Sequence, residues 1–222
     1  MPSPGRSFTS STTIDSKCYV FGGEDDDGEI GNMLRDTDEY DTSDSWTSKT
    51  DMPAPGRYGL GASTILDAGY IFGGSISGTT YLQDTDKYDP DVWTSKSDTP
   101  SPGRELFATT TVSDKGYIFG GITSGPTFLT DTDEYDPDSW TSKSSVYSPS
   151  RGEAAGGHIS SKGYMCGGDR LADEGSGWLQ DNEQYDPSED SWSAKTDMPS
   201  PARKWHAIAS IDINTYSFPT GT

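Results

Sequence analysis

The feature that most constrains this chain is a set of signals returning four times in fixed register. Paired glycines stand at Gly22-Gly23, Gly73-Gly74, Gly120-Gly121 and Gly167-Gly168. A tyrosine follows each pair, at Tyr40, Tyr88, Tyr135 and Tyr185, and then a tryptophan, at Trp46, Trp93, Trp140 and Trp192. Arginines punctuate the units at Arg6, Arg57, Arg104, Arg151 and Arg203, each 13 residues ahead of a further tyrosine. At a period of 47 to 52 residues, each unit is one supersecondary element that buries its apolar face only against its neighbours.

Composition alone points the other way. Leu, Ile, Val and Phe supply 30 of 222 residues and the formal net charge is −20, a balance typical of disordered chains. The 12 Tyr and 6 Trp reverse that reading, because aromatic rings bury a large area each and here fall at repeated positions. Each unit holds four short strand signals separated by turn residues, without helical periodicity. In the third unit these are "ELFATTTV", "KGYIFGG", "DTDEYD" and "SWTSKS", with a turn at Pro137-Asp138.

An apolar strand ending in Gly-Gly, then Tyr-Asp-Pro, then Trp, resembles the kelch repeat over essentially the whole chain, in a form similar to microbial and viral kelch arrays. The resemblance implies an all-β, kelch-type β-propeller of four full four-stranded repeats, 6–56, 57–103, 104–150 and 151–202, with a C-terminal half repeat over 203–222. The half repeat lacks the glycine pair, "YSFPT" standing where "YIFGG" is expected. Three closures stay open: a four-blade ring with two extra strands, a five-blade ring with one thin blade, or completion by strands of a neighbouring chain. The glycines suit a backbone closed to other residues, and the Tyr and Trp rings suit the wedge between blades.

The acidic strand ahead of each tyrosine is the first candidate for chemistry. Asp36, Asp84, Asp131 and Asp181 lie four residues before it, and Asp38, Asp86, Asp133 and Glu183 two before it, so both acids share one strand face. One reading is a calcium contact in each blade, through Asp36 with Asp38, Asp84 with Asp86 and Asp131 with Asp133. The other is scaffolding, in which the earlier acid caps loop amides and the later one meets a junction arginine brought close by blade packing. The stretch "EDDDGEI" imitates a calcium loop, but Gly23 and Leu34 fall where an EF-hand needs ligands, so Asp25, Asp26 and Asp27 read as an acidic solvated loop offering binding contacts, the alternative being a looser contact to a divalent ion.

Binding belongs where the copies differ. The segment between the glycine pair and the tyrosine is 16 residues long in repeats one and four and 13 in repeats two and three. It carries an aromatic at Tyr81, Phe128 and Trp178, suited either to core packing or to stacking on a sugar or a partner chain. The two histidines, His158 and His206, occupy non-equivalent positions, and no spacing marks a catalytic residue. Some kelch propellers are enzymes, copper oxidases and sugar isomerases among them, but the copper site's cross-linked Tyr–Cys pair has no motif here.

Cys18 and Cys166 make neither a disulfide framework nor a zinc site. Strong acidity excludes nucleic acid and anionic membrane surfaces as partners, no stretch reads as a signal peptide, and no apolar run is long enough to insert in a membrane. The expected function is a non-catalytic module for protein binding or assembly in an extracellular, cell-surface or virion setting, with no cofactor unless calcium. The alternative is a carbohydrate-binding or sugar-processing propeller.

Overall fold

A computed structural model describes residues 5–25, 32–125, 127–146, 149–170 and 177–212. Four antiparallel four-stranded sheets, each a meander in sequence order, are arranged as propeller blades. Blade one comprises Ser10–Ile14, Lys17–Phe21, Thr37–Tyr40 and Trp46–Ser48; blade two Gly61–Ile65, Ala68–Phe72, Thr85–Asp89 and Val92–Lys96. Blade three comprises Ala108–Val112, Lys115–Phe119, Thr132–Asp136 and Ser139–Lys143; blade four Ala155–Ile159, Lys162–Cys166, Asn182–Asp186 and Ser191–Lys195. No described helix is long and apolar enough to cross a membrane.

The core lies between blades, and the repeated rings build it. Tyr88 packs on Tyr19 and Phe21 of the preceding blade, with ring centroids 5.3 and 5.8 Å apart, and Trp93 packs edge-on against Phe21 at 5.5 Å. Tyr135 and Trp140 repeat this on Tyr70 and Phe72, and Tyr185 and Trp192 on Tyr117 and Phe119. Each wedge is filled by rings that meet tilted or edge to face, as ring quadrupoles favour.

The arginines pin each blade together. Arg57 Nη1 donates to the Gly73 carbonyl, at 3.4 Å, and Nη2 to Asp86, at 2.9 Å; Arg104 does the same with Gly120 and Asp133, at 3.4 and 3.0 Å. Arg6 pairs with Asp38. The arginine therefore belongs to the same repeat as its carboxylate and is not brought in from a neighbouring blade. Its own carbonyl reaches the preceding blade, accepting the N–H of that blade's second glycine, as Arg57 accepts from Gly23 and Arg104 from Gly74. Gly23, at φ +102°, must be glycine, since a Cβ there would stand 2.6 Å from the Ser7 carbonyl oxygen.

Residues 203–212 run beside the innermost strand of blade four, where Ile211 forms a parallel bridge with Ile159. The described part of the half repeat thus takes the inner-strand position of a further blade without forming a ladder. Its remaining residues, 213–222, lie outside the described residues.

Candidate functional site: the mouth of the ring

Every blade's first strand starts at the same end of the central channel, just after its arginine. There five equivalent residues, Phe8, Gly59, Leu106, Glu153 and Trp205, share one backbone arrangement. Each has a left-handed φ, between 52° and 61°. Each step between them carries the same hydrogen bond: Gly59 N–H donates to the Phe8 carbonyl, Leu106 to Gly59, Glu153 to Leu106 and Trp205 to Glu153, at 2.7–3.1 Å. The left-handed region is costly for bulky side chains, so this ring is held by its bonds and not by residue preference.

On this frame the side chains diverge. Trp205 is 62% exposed and meets Phe8 edge-on at a centroid distance of 6.2 Å, closing the mouth between 203–212 and blade one. Lys204 bonds Glu153 and Asp169, at 2.7 and 2.8 Å, and lies over the Trp205 ring. A cavity of about 400 Å³ opens among Phe8, Leu106, Glu153, Trp205 and His206. Burial pushes the His206 imidazole below its ordinary pKa, with Arg203 adding to the shift.

Short two-stranded ladders flank the mouth. Arg6–Ser7 pairs with Glu24–Asp25, Ser75–Ser77 with Thr80–Tyr81, Ile122–Thr123 with Thr127–Phe128, and Asp169–Arg170 with Gly177–Trp178. Of the aromatics singled out from sequence, Trp178 is 58% exposed, while Tyr81 and Phe128 are half-buried. Phe128 lies against Gly152, and the Tyr81 hydroxyl donates to the Gly78 carbonyl at 3.0 Å. Asp25 is buried and accepts from Asn32 Nδ2 at 2.5 Å, whereas Asp26 and Asp27 lie outside the described residues.

Beneath the mouth a channel of about 870 Å³ is walled by the first strands and rich in hydroxyls. Many of these hydroxyls bridge neighbouring blades: Thr64 donates to the Thr13 carbonyl, at 2.5 Å, and Thr111 to the Thr64 carbonyl, at 2.8 Å. His158 occupies the equivalent place in blade four. Its Nδ1 lies 3.4 Å from Thr110 Oγ1 and its Nε2 3.4 Å from Asp212 Oδ1. Sequence spacing did not hint at that alignment, because the three residues come from three different repeats.

The acid pairs face their arginine. Asp133 lies 3.0 Å and Asp131 3.5 Å from Arg104 Nη2, Asp36 lies 3.7 Å from Arg6, and Asp38 and Asp86 carry the pairings described above. The second oxygens of Asp38, Asp86 and Asp133 accept from Ser48, Ser95 and Ser142 at 2.7–2.9 Å. The backbone carbonyl of Asp36, Asp84 and Asp131 accepts the first glycine's N–H, so the earlier acid ties strand three to the glycine turn through its main chain. Among the described residues no group of three or more His, Cys, Asp or Glu converges on a point where a metal ion could sit. Cys18 and Cys166 are free thiols, each raised in pKa by burial.

The sequence profile of the KLHDC2/KLHL20/DRC7 Kelch-repeats domain matches residues 8–219. The chain belongs to the kelch-repeat family. A solved kelch-fold neighbour, described as the structure of YjhT, superposes with a TM-score of 0.78 at 16% identity, covering 92% of this chain and 74% of that one. That likeness concerns the fold. No curated protein matches the chain. Kelch propellers commonly serve as protein-interaction modules, and the mouth is where this one varies on a constant backbone.

Proposed function

We propose that the chain is a non-catalytic binding module that holds a protein partner on the mouth face. One observation carries this reading: five backbone-equivalent positions carry five different residues, and the aromatic ones, Phe8 and Trp205, stand exposed, as Trp178 does on the flanking ladder. Exposed Trp and Phe set on a rigid frame supply large contact area at little entropic cost, which is how interface anchors work. The net charge of −20 favours a basic partner surface and steers its approach. The acidic, Ser/Thr-rich surface fits an extracellular, cell-surface or virion setting.

Affinity capture with the wild-type chain, beside a Phe8→Ala, Trp178→Ala, Trp205→Ala triple variant, tests the reading. Proteins retained by the first and lost by the second are expected. Retention of the same set by both would overturn it. The hydroxyl-lined channel behind an aromatic mouth favours carbohydrate as the second reading, and saturable binding on a glycan array with no captured protein selects it.

A further inference from the structure

Blades one and three each clamp a buried glutamate on the third strand. Glu39 accepts the Tyr19 hydroxyl at 2.6 Å, and the Lys17 and Lys49 ammoniums stand 2.7 and 3.3 Å from its oxygens. Glu134 does the same with Tyr117, at 2.6 Å, and with Lys115 and Lys143, at 3.0 and 3.3 Å. One phenol and two ammoniums thus surround one carboxylate, which offsets the cost of burying its charge. Lys115 also lies 2.9 Å from Asp136, the acid two residues beyond Glu134.

Blade two keeps the donors without the acceptor. Tyr70 pairs with residue 87 across strands two and three as Tyr117 pairs with Glu134, and its ring packs on Tyr135 as Tyr19 packs on Tyr88. Tyr70 is only 4% exposed, so packing holds its hydroxyl toward the same place. Residue 87, however, is lysine, and Ala68 stands where the first lysine belongs. Lys87 Nζ reaches Asp89, at 3.3 Å, as Lys115 reaches Asp136, so its ammonium takes the part of that missing lysine. Lys96, the second lysine, lies 3.7 Å from Asp138 of blade three. Burial raises the Tyr70 phenol above its ordinary pKa, with Asp138 and Asp89 acting on it by charge and not by a hydrogen bond. Among the described residues no acceptor bonds the Tyr70 hydroxyl.

We propose that Tyr70, Lys87 and Lys96 form a binding site for an external carboxylate, which accepts the Tyr70 hydroxyl and pairs with the two ammoniums. The sister blades name the ligand class, since each fills the equivalent donors with a carboxylate of its own. They also set the charge. Lys115 and Lys143 face Glu134, Asp136 and Asp190, three acids against two lysines, whereas Lys87 and Lys96 face Asp89 and Asp138 alone. One added carboxylate gives blade two the balance that blade three carries.

The site is open to a ligand. The side chains of Lys87 and Lys96 are 29% and 23% exposed, and their present partners are looser still, Asp89 at 67% and Asp138 at 50%. Exposed pairs of this kind contribute little, so both ammoniums are free to turn to a better acceptor. Ala68 has no stem to reach across the site as Lys17 and Lys115 reach Glu39 and Glu134. With a net charge of −20 the chain as a whole repels acids, so affinity rests on the charge-assisted bonds at contact and not on steering. Ala68 begins strand two and Asp89 ends strand three, which puts the site toward the end of the blade away from the mouth. It is independent of the mouth-face reading.

Amide NMR on the isotope-labelled full chain, titrated with sodium acetate against sodium chloride at fixed ionic strength, tests the inference. Acetate is expected to move the signals of Tyr70, Lys87 and Lys96 saturably, with a midpoint on the order of 10 mM, while those of Tyr19, Glu39, Tyr117 and Glu134 stay in place. Tyr70→Phe keeps the packed ring and is expected to weaken binding about tenfold. Lys87→Glu supplies the carboxylate from within, so the acetate response disappears and the melting temperature rises. A blocked Ala-Glu-Ala peptide that binds more tightly than acetate assigns the ligand to an acidic side chain, and one that binds no better assigns it to a small free acid. Shifts that fail to saturate or that chloride reproduces, or a Lys87→Glu variant that melts below wild type, would overturn the inference.

Discussion

Blades three and four are copies of one repeat and differ at the arginine pin. In blade three Arg104 meets Asp133 at 3.0 Å, and Ser142 satisfies the second carboxylate oxygen. In blade four Glu183 replaces the aspartate and Ala194 the serine. Arg151 turns instead to Asp181, at 3.2 Å, and Glu183 keeps a buried oxygen without a hydrogen bond. Burial raises the pKa of both Asp133 and Glu183, with the arginine opposing the shift in each. One methylene and one lost hydroxyl thus convert a closed charge pair into an offset one, which shows how narrow the tolerance of the pin is.

The sharpest way to break this contrast is to remove the arginines. Arg104→Ala strands Asp133 in a dry wedge and is expected to cost about 3–5 kcal/mol, whereas Arg151→Ala leaves a partly hydrated Asp181 and costs about 1–2 kcal/mol. Urea unfolding of the two variants measures the difference, and equal losses would show that the two pins are equivalent.

A smaller effect separates the blades at the next residue, where blade three has Glu105 and blade four Gly152. Burial, reinforced by Glu153, pushes the Glu105 carboxyl up to about 7 against the pull of Tyr58 and Ser75. A carboxyl whose folded pKa lies above its unfolded value favours folding when protonated. Its contribution is complete below about pH 4.5 and is lost as pH rises to about 7. Glu105→Gln should therefore raise stability by on the order of 2 kcal/mol at pH 8 and leave it unchanged near pH 4.5. Thermal melts at the two pH values check the sign. Smallest of all, Glu183→Asp combined with Ala194→Ser should rebuild the blade-three pin in blade four and gain about 1 kcal/mol by the same unfolding assay.

Much of the fold was legible because its signals are chemical and periodic. The glycine pairs mark backbone that closes on a neighbouring chain segment, and the Tyr and Trp spacing marks the wedge rings, so strands and blade order followed. The mouth was not legible in the same way. Phe8, Leu106, Glu153 and Trp205 take a left-handed conformation that such residues rarely signal, and only their register with Gly59 points to it. The acids that accept a backbone N–H from the preceding blade, Asp91, Asp138 and Asp190, were visible as residues two before a tryptophan, but an acid in an outer turn is also an ordinary turn former. What separates the two meanings is the neighbouring strand it grips, and that strand lies about forty residues away in the chain, beyond the reach of local pattern.

The mouth is laid down as a staircase of identical backbone steps, each repeat supplying one donor and one acceptor to the next. Its diameter is therefore counted out in whole repeats. A lineage that gains or loses one unit changes the width of the opening while leaving every blade's interior as it was. The size of what the ring admits and the chemistry with which it grips can then evolve on separate schedules, one by duplication and the other by point substitution.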